Sequence, residues 1–248
     1  MDMTTRPDAV TVASALVSDR FPNAEQAWLG GSVVMGCATE TSDLDITVLD
    51  ENASAHRESL RYQGWPVELF VHTTSSIRFF VDKDLAQRKP TMARLIADGV
   101  PLVAGQGGAT IRRHCESVLT AGPGSLAPEA IDAARYALSD LLDDLRGGAT
   151  GPVGAAVVIE TWRRTADLIL GAHGCWTGGG KWLMRELLHL DESSGTTWTT
   201  MLDEALRSAL AGNAQPLQTV AEAALSLLGG RLWEGFSQAG PIEAGIGE

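Results

Sequence analysis

From Ser42 to Asp50 apolar and polar side chains alternate, with Leu44, Ile46 and Val48 set against Asp43, Asp45 and Thr47. That period of two predicts a strand with one buried face. "WPVELFVHT" repeats the pattern, placing Val67, Leu69 and Val71 on one side and Glu68 and Phe70 on the other. Acidic residues at matching alternate positions let the two strands lie side by side. "EQAWL" predicts a short strand that runs into Gly30-Gly31-Ser32, and "VPLV" predicts another. Helical spacing governs Val10 to Val17 behind Asp8, then "SSIRFFVDKDLAQ", "TMARLIADG" with Gly99 as a left-handed cap, and "TIRRHCESVL".

The breaker "TAGPGSLAP" spans residues 120–128, and the period is helical beyond it. Ile131, Ala134, Leu138, Leu141 and Leu145 form one stripe. "VGAAVVIETW" is apolar nearly all round, which predicts a helix central to a bundle. Further helices are expected from Lys181 to His189, Trp198 to Ala211, Leu217 to Leu228 and Gly230 to Gln238, before a loose tail, "AGPIEAGIGE". The expected architecture is α+β: a mixed sheet with flanking helices over residues 1–119, a linker over 120–128, and an α-helical bundle over 129–248. No internal repeat is visible.

Composition narrows the function. The chain has 248 residues, 44% apolar and 20% charged, as in ordinary globular proteins. It holds no apolar run long enough to span a membrane and no secretory pattern in "MDMTTRPDAV", so a cytoplasmic location is expected. Cys37, Cys115 and Cys175 form no C-x-x-C and suit reduced thiols. The net charge is −12, two thirds of it in the second half. Such a chain repels polyanions, which argues against nucleic acid as partner, and attracts a small cation.

Gly30, Gly31 and Ser32 precede Asp43 and Asp45 by about a dozen residues, and that order has a chemical reading. Nucleotidyl transfer builds negative charge on both sides of the α-phosphorus, and two divalent ions about 4 Å apart meet it. Magnesium prefers carboxylate, phosphate and water oxygens. Asp43 and Asp45 share one strand face, with β-carbons roughly 7 Å apart. Glu68 on the neighbouring strand supplies a third carboxylate. Gly30-Gly31 would offer backbone N–H groups to a triphosphate without an intruding β-carbon, and Ser32 a hydroxyl.

"LGGS…SDLDITVL" with the later "VELFV" resembles the signature of the polymerase beta-type nucleotidyltransferase superfamily. A sheet domain followed by a helical bundle is similar in layout to bacterial small-molecule nucleotidyltransferases, including those that modify aminoglycosides. The resemblance implies that Gly31 and Ser32, with Ser42 beside them, contact the nucleotide. It implies that Asp43 and Asp45 ligate metal and that Glu68 is a ligand or general base.

Other residues are weighed against plainer roles. "TGGGKW" lacks the spacing and the Ser/Thr of a P-loop. Lys181 and Arg185, one helical turn apart, are candidates to reach the triphosphate, against the alternative of a surface pair. Arg78, Arg88 and Lys89 are weaker ones, better explained by solvated helix ends. Tyr136, Asp140, Asp143 and Asp144 form one patch that could receive a cationic acceptor, although a solvated face explains them as well. Glu160 in an apolar helix needs a partner, which Arg163 and Arg164 provide, or else serves as base for the acceptor.

The expected reaction is magnesium-dependent transfer of a nucleoside monophosphate, most simply AMP from ATP, to a hydroxyl of a small molecule. The rivals are an antitoxin-like or silent nucleotidyltransferase-fold protein acting on a partner protein, and an RNA-directed transferase.

Overall fold

The computed structural model describes residues 6–148 and 150–240. Its chain divides between Pro123 and Gly124 into two compact units, each with its own core. The first begins with α1 (Ala9–Arg20), whose N-cap Asp8 accepts from Thr11 N at 2.8 Å. β1 (Gln26–Gly30) leads directly into the single-turn α2 (Gly31–Val34). β2 (Leu44–Leu49), β3 (His56–Tyr62) and β4 (Trp65–His72) follow, then α3 (Thr74–Ala86), α4 (Thr91–Ala97), β5 (Val100–Val103) and α5 (Gln106–Ala121). The sheet order is β3-β4-β2-β1-β5, antiparallel throughout except for the parallel pair β2·β4.

The alternation read in the sequence sets the two faces of this sheet. Leu44, Ile46, Val48, Val67, Leu69 and Val71 pack with Val12, Leu16 and Val17 of α1. On the opposite face Trp28 and Leu49 pack with Ile77 of α3 and with Met92 and Ile96 of α4. Both faces are therefore covered, and the polar residues of β2 and β4 must find their place at one end of the second face.

β3 is the strand the sequence reading missed. "HRESLRY" carries three charged side chains, and as an edge strand with one polar face it has little apolar alternation to show. The signal was the turn behind it. Gln63 and Gly64 both take positive φ, 45° and 85°, as a two-residue hairpin requires, and Tyr62 pairs with Trp65 across it.

Gly99 was expected as a left-handed cap, but it takes no positive φ. It is a contact residue instead. A β-carbon there would overlap Leu95 O and lie 3.0 Å from Trp28 Cβ, so its bareness lets the end of α4 lie on β1.

The second unit comprises α6 (Pro128–Arg146), α7 (Gly151–Ala172), α8 (Lys181–Ser194), α9 (Trp198–Leu210) and α10 (Gln215–Ser226). Of the expected α6 stripe, Leu138 is fully buried and Ala134 and Leu145 pack against the core, while Leu142 takes the place expected of Leu141, which is half-buried. α7 is most continuously buried in its second half, around Leu168, Ile169 and Leu170; nearer its start Gly154, Val158 and Thr161 are buried while Val153 and Ile159 are exposed. α7 packs on each of α6, α8, α9 and α10, as expected of a helix central to a bundle, although part of its apolar surface stays exposed.

No helix forms over Gly230 to Gln238. Side chains on α6 hold the start of this segment without a helix. Arg135 donates to the carbonyls of Gly229 and Gly230, and Leu232 N donates to Ser139 Oγ at 3.0 Å. Of the expected loose tail, residues 239–248, those from 241 onward lie outside the described residues. Among the described residues no helix is long and apolar enough to cross a membrane.

Candidate active site

Strand register assembles the acidic cluster. In the antiparallel pair β1·β2, Gly30 lies opposite Asp45; in the parallel pair β2·β4, Asp45 lies opposite Glu68. Partners in register point to the same face, so the two carboxylates are neighbours across one strand spacing. Asp43 stands one residue before β2 and turns into the same cluster. One carboxylate oxygen from each of Asp43, Asp45 and Glu68 lies within 4.8 Å of the other two, and all three side chains are half-buried. Three negative charges at that spacing repel one another and favour a multivalent cation between them. The donor set is all-oxygen and carboxylate-rich, which fits magnesium or manganese and not zinc.

The glycine turn borders this cluster. Gly31 has φ +76°, a region that L side chains avoid, and a β-carbon built on it would overlap Asp45 Oδ2. Bare backbone is thus pressed against a cluster carboxylate. Gly30 is constrained from the other side, where a β-carbon would sit 2.9 Å from Leu95 Cδ2 on α4. Behind the turn, buried Ser32 donates to Ser42 Oγ at 3.0 Å, and Ser42 Oγ also accepts from Thr39 N at 2.8 Å. Arg6 donates to the carbonyls of Ser42 and Glu40 at 3.1 and 2.6 Å. The two serines therefore fasten the glycine turn to the loop that delivers Asp43.

The structure adds one residue that the sequence reading did not name. Arg57, on β3, donates from one guanidinium nitrogen to both oxygens of Glu68, at 2.6 and 2.7 Å, and lies over the Phe70 ring at 5.2 Å. It was hidden with its strand. Once the hairpin is recognised, Arg57 falls opposite Phe70 and Ser59 opposite Glu68, which puts Arg57 diagonal to the acid.

Most of the remaining candidates belong to the second unit. Lys181 is exposed at the first position of α8, and the Arg185 guanidinium lies 4.8 Å from the Trp182 ring centroid. Tyr136 stacks with Phe236 at 4.2 Å and with Trp233 at 5.3 Å. Asp143 pairs with Arg231 at 2.7 Å and with Arg146 at 3.4 Å, while Asp140 and Asp144 are exposed. The chain's own arginines thus supply positive charge to part of that acidic patch. Glu160 bonds Arg163 and Arg164, at 2.9 and 2.6 Å, and these bonds, that of Arg163 foremost, hold its carboxyl below the usual range. In the first unit Arg78 and Lys89 are exposed, and Arg88 donates to Pro123 O at 3.3 Å.

No protein-family model matches this chain, and no curated protein does. Among solved structures, a nucleotidyltransferase-like protein from Exiguobacterium sibiricum 255-15 superposes on 90% of this chain and 77% of its own, with a TM-score of 0.41 and 11% identity. At that level of similarity, what is assigned to this chain rests on its own residues.

Proposed function

We propose that this protein is a metal-dependent nucleotidyltransferase that moves a nucleoside monophosphate, most simply AMP from ATP, onto a hydroxyl of a small cationic acceptor such as an aminoglycoside. One observation carries the reading: Asp43, Asp45 and Glu68 converge beside a glycine turn whose backbone is bare where Asp45 meets it. Asp43 and Asp45 would hold magnesium, with Glu68 completing the set. Bound there, the metal would supply Lewis-acid stabilisation of charge on the attacking and leaving oxygens. The Gly30–Ser32 turn would orient the triphosphate through backbone N–H groups. The Ser32–Ser42 bond keeps that turn and Asp43 in one frame. Arg57 lies against both Glu68 oxygens, and Glu68 is proposed as the third metal ligand or as the base that takes the acceptor's proton.

The charge distribution supports the acceptor class. A chain of −12, most acidic in its helical half, draws in a polycationic small molecule and repels RNA. Lys181 and Arg185 are proposed for the triphosphate, and Tyr136, Asp140, Asp143, Asp144 and Glu160 for the acceptor. The exposed aliphatics Val153 and Ile159 favour a second reading, a silent protein of this fold that works through a protein partner.

The test is incubation with radiolabelled ATP, magnesium and a panel of aminoglycosides and other hydroxylated compounds. Label should appear on one class of acceptor with the wild type and not with Asp45→Asn. Absence of label on every acceptor, together with no manganese uptake by calorimetry, would remove the enzymatic reading and leave the second.

A further inference from the structure

We infer that Arg57 is a built-in counter-ion of the acidic cluster, which competes with a divalent cation for Glu68 and so sets the affinity of the site for metal. The inference rests on the metal-site reading above. Its basis is the way Arg57 is bound. A single nitrogen is shared between the two Glu68 oxygens at 2.6 and 2.7 Å, so the guanidinium engages the same carboxylate oxygens that a cation would need. Glu68 belongs to a set of three acids whose donor atoms lie within 4.8 Å of one another. Without a cation such a cluster is self-repelling, and a neighbouring positive charge lowers that cost.

The same geometry makes the bond replaceable. The Arg57 side chain is 62% exposed, and exposed ion pairs are weak and screened by salt. The Phe70 ring beneath the guanidinium, 5.2 Å away, gives it a resting surface when Glu68 turns to another partner. An arginine this close also repels an incoming dication, whether or not it lets go of Glu68. Both effects act in one direction: Arg57 weakens metal binding and raises the concentration at which the site fills.

The experiment measures manganese binding by calorimetry, without nucleotide, on wild type, Arg57→Gln, Asp45→Asn and Arg20→Gln at two ionic strengths. Arg20 is the control, because it pairs with Glu58 on the same strand but not with the cluster. Arg57→Gln should bind manganese about three- to tenfold more tightly than wild type, the reach of one unit charge on a nearby dication at a solvated surface, and the difference should shrink at high salt. Arg20→Gln should match wild type. If wild type binds manganese, Asp45→Asn does not, and Arg57→Gln binds equally or more weakly than wild type, the counter-ion role is overturned while the metal site stands. If wild type and Asp45→Asn both fail to bind, the metal site falls and the inference with it. Circular dichroism on each variant separates these outcomes from loss of fold.

Discussion

At Gly31 a backbone constraint and a contact constraint coincide: φ is +76°, and the space a side chain needs is filled by the Asp45 carboxylate. Gly31→Ala should therefore do two things at once. It should lower stability by about 1–3 kcal/mol, the scale of forcing a non-glycine residue into a strained region, and it should weaken manganese binding by pushing Asp45 aside. A urea titration and calorimetry check the two. A variant with unchanged metal affinity would mean that the turn and the cluster are not mechanically joined. Asp43→Asn and Asp45→Asn should behave oppositely. Each removes one charge from a repelling cluster, so the fold is kept or slightly stabilised. Transfer to acceptor should drop by about a hundredfold or more, the scale of losing one electrostatic stabiliser of the reacting phosphate. These acids and glycines were legible in the sequence because their chemistry is local in type and spacing. Arg57 was not, since its meaning depends on which strand pairs with β4.

At the scale of elements, the alternating strands β2 and β4 were readable because each buries a continuous face against α1. β3 was not, because an edge strand with charged side chains has no such period. The far end of β4 provides a test in pH. His72 is buried beside Phe80, with Nδ1 2.9 Å from Ser76 Oγ, and burial lowers its pKa below the ordinary 6.5. The unfolded chain therefore binds the His72 proton more readily than the folded one. Its contribution to stability is complete above about pH 6.5 and declines as pH falls below that value. Urea midpoints at pH 7.5 and 5.5 should differ less for His72→Gln than for wild type. An equal loss in both would place the acid sensitivity elsewhere. On the helical side, the stripe on α6 was right at Ala134, Leu138 and Leu145 and missed only in choosing Leu141, since a 3.6-residue period leaves two adjacent leucines, 141 and 142, almost equally suited to face the core.

For the molecule as a whole, division of the chain between Pro123 and Gly124 follows from two separate cores, one built on the sheet and one among helices. We propose that these are the two domains. Limited proteolysis should then cut first within the exposed stretch around Gly124 and Ser125 and yield two stable fragments. Early cleavage inside α6 or α7 would contradict this. Metal should act on the stability of the first unit, which holds the acidic cluster. Manganese at a hundred times its dissociation constant should stabilise the wild type by about 2.7 kcal/mol, and chelation should reverse the gain. Asp45→Asn should show neither response in a thermal scan.

The sequence by itself determined the acids, the bare turn and the helical nature of the second half, because each is written as a residue type at a fixed local interval. Only tertiary structure decided that Asp45 stands opposite both Gly30 and Glu68, that Ser32 fastens to Ser42, and that an arginine from an edge strand grips the third acid. Those relations depend on strand order and register. They are set by the packing of distant segments, and no local interval in the chain encodes them.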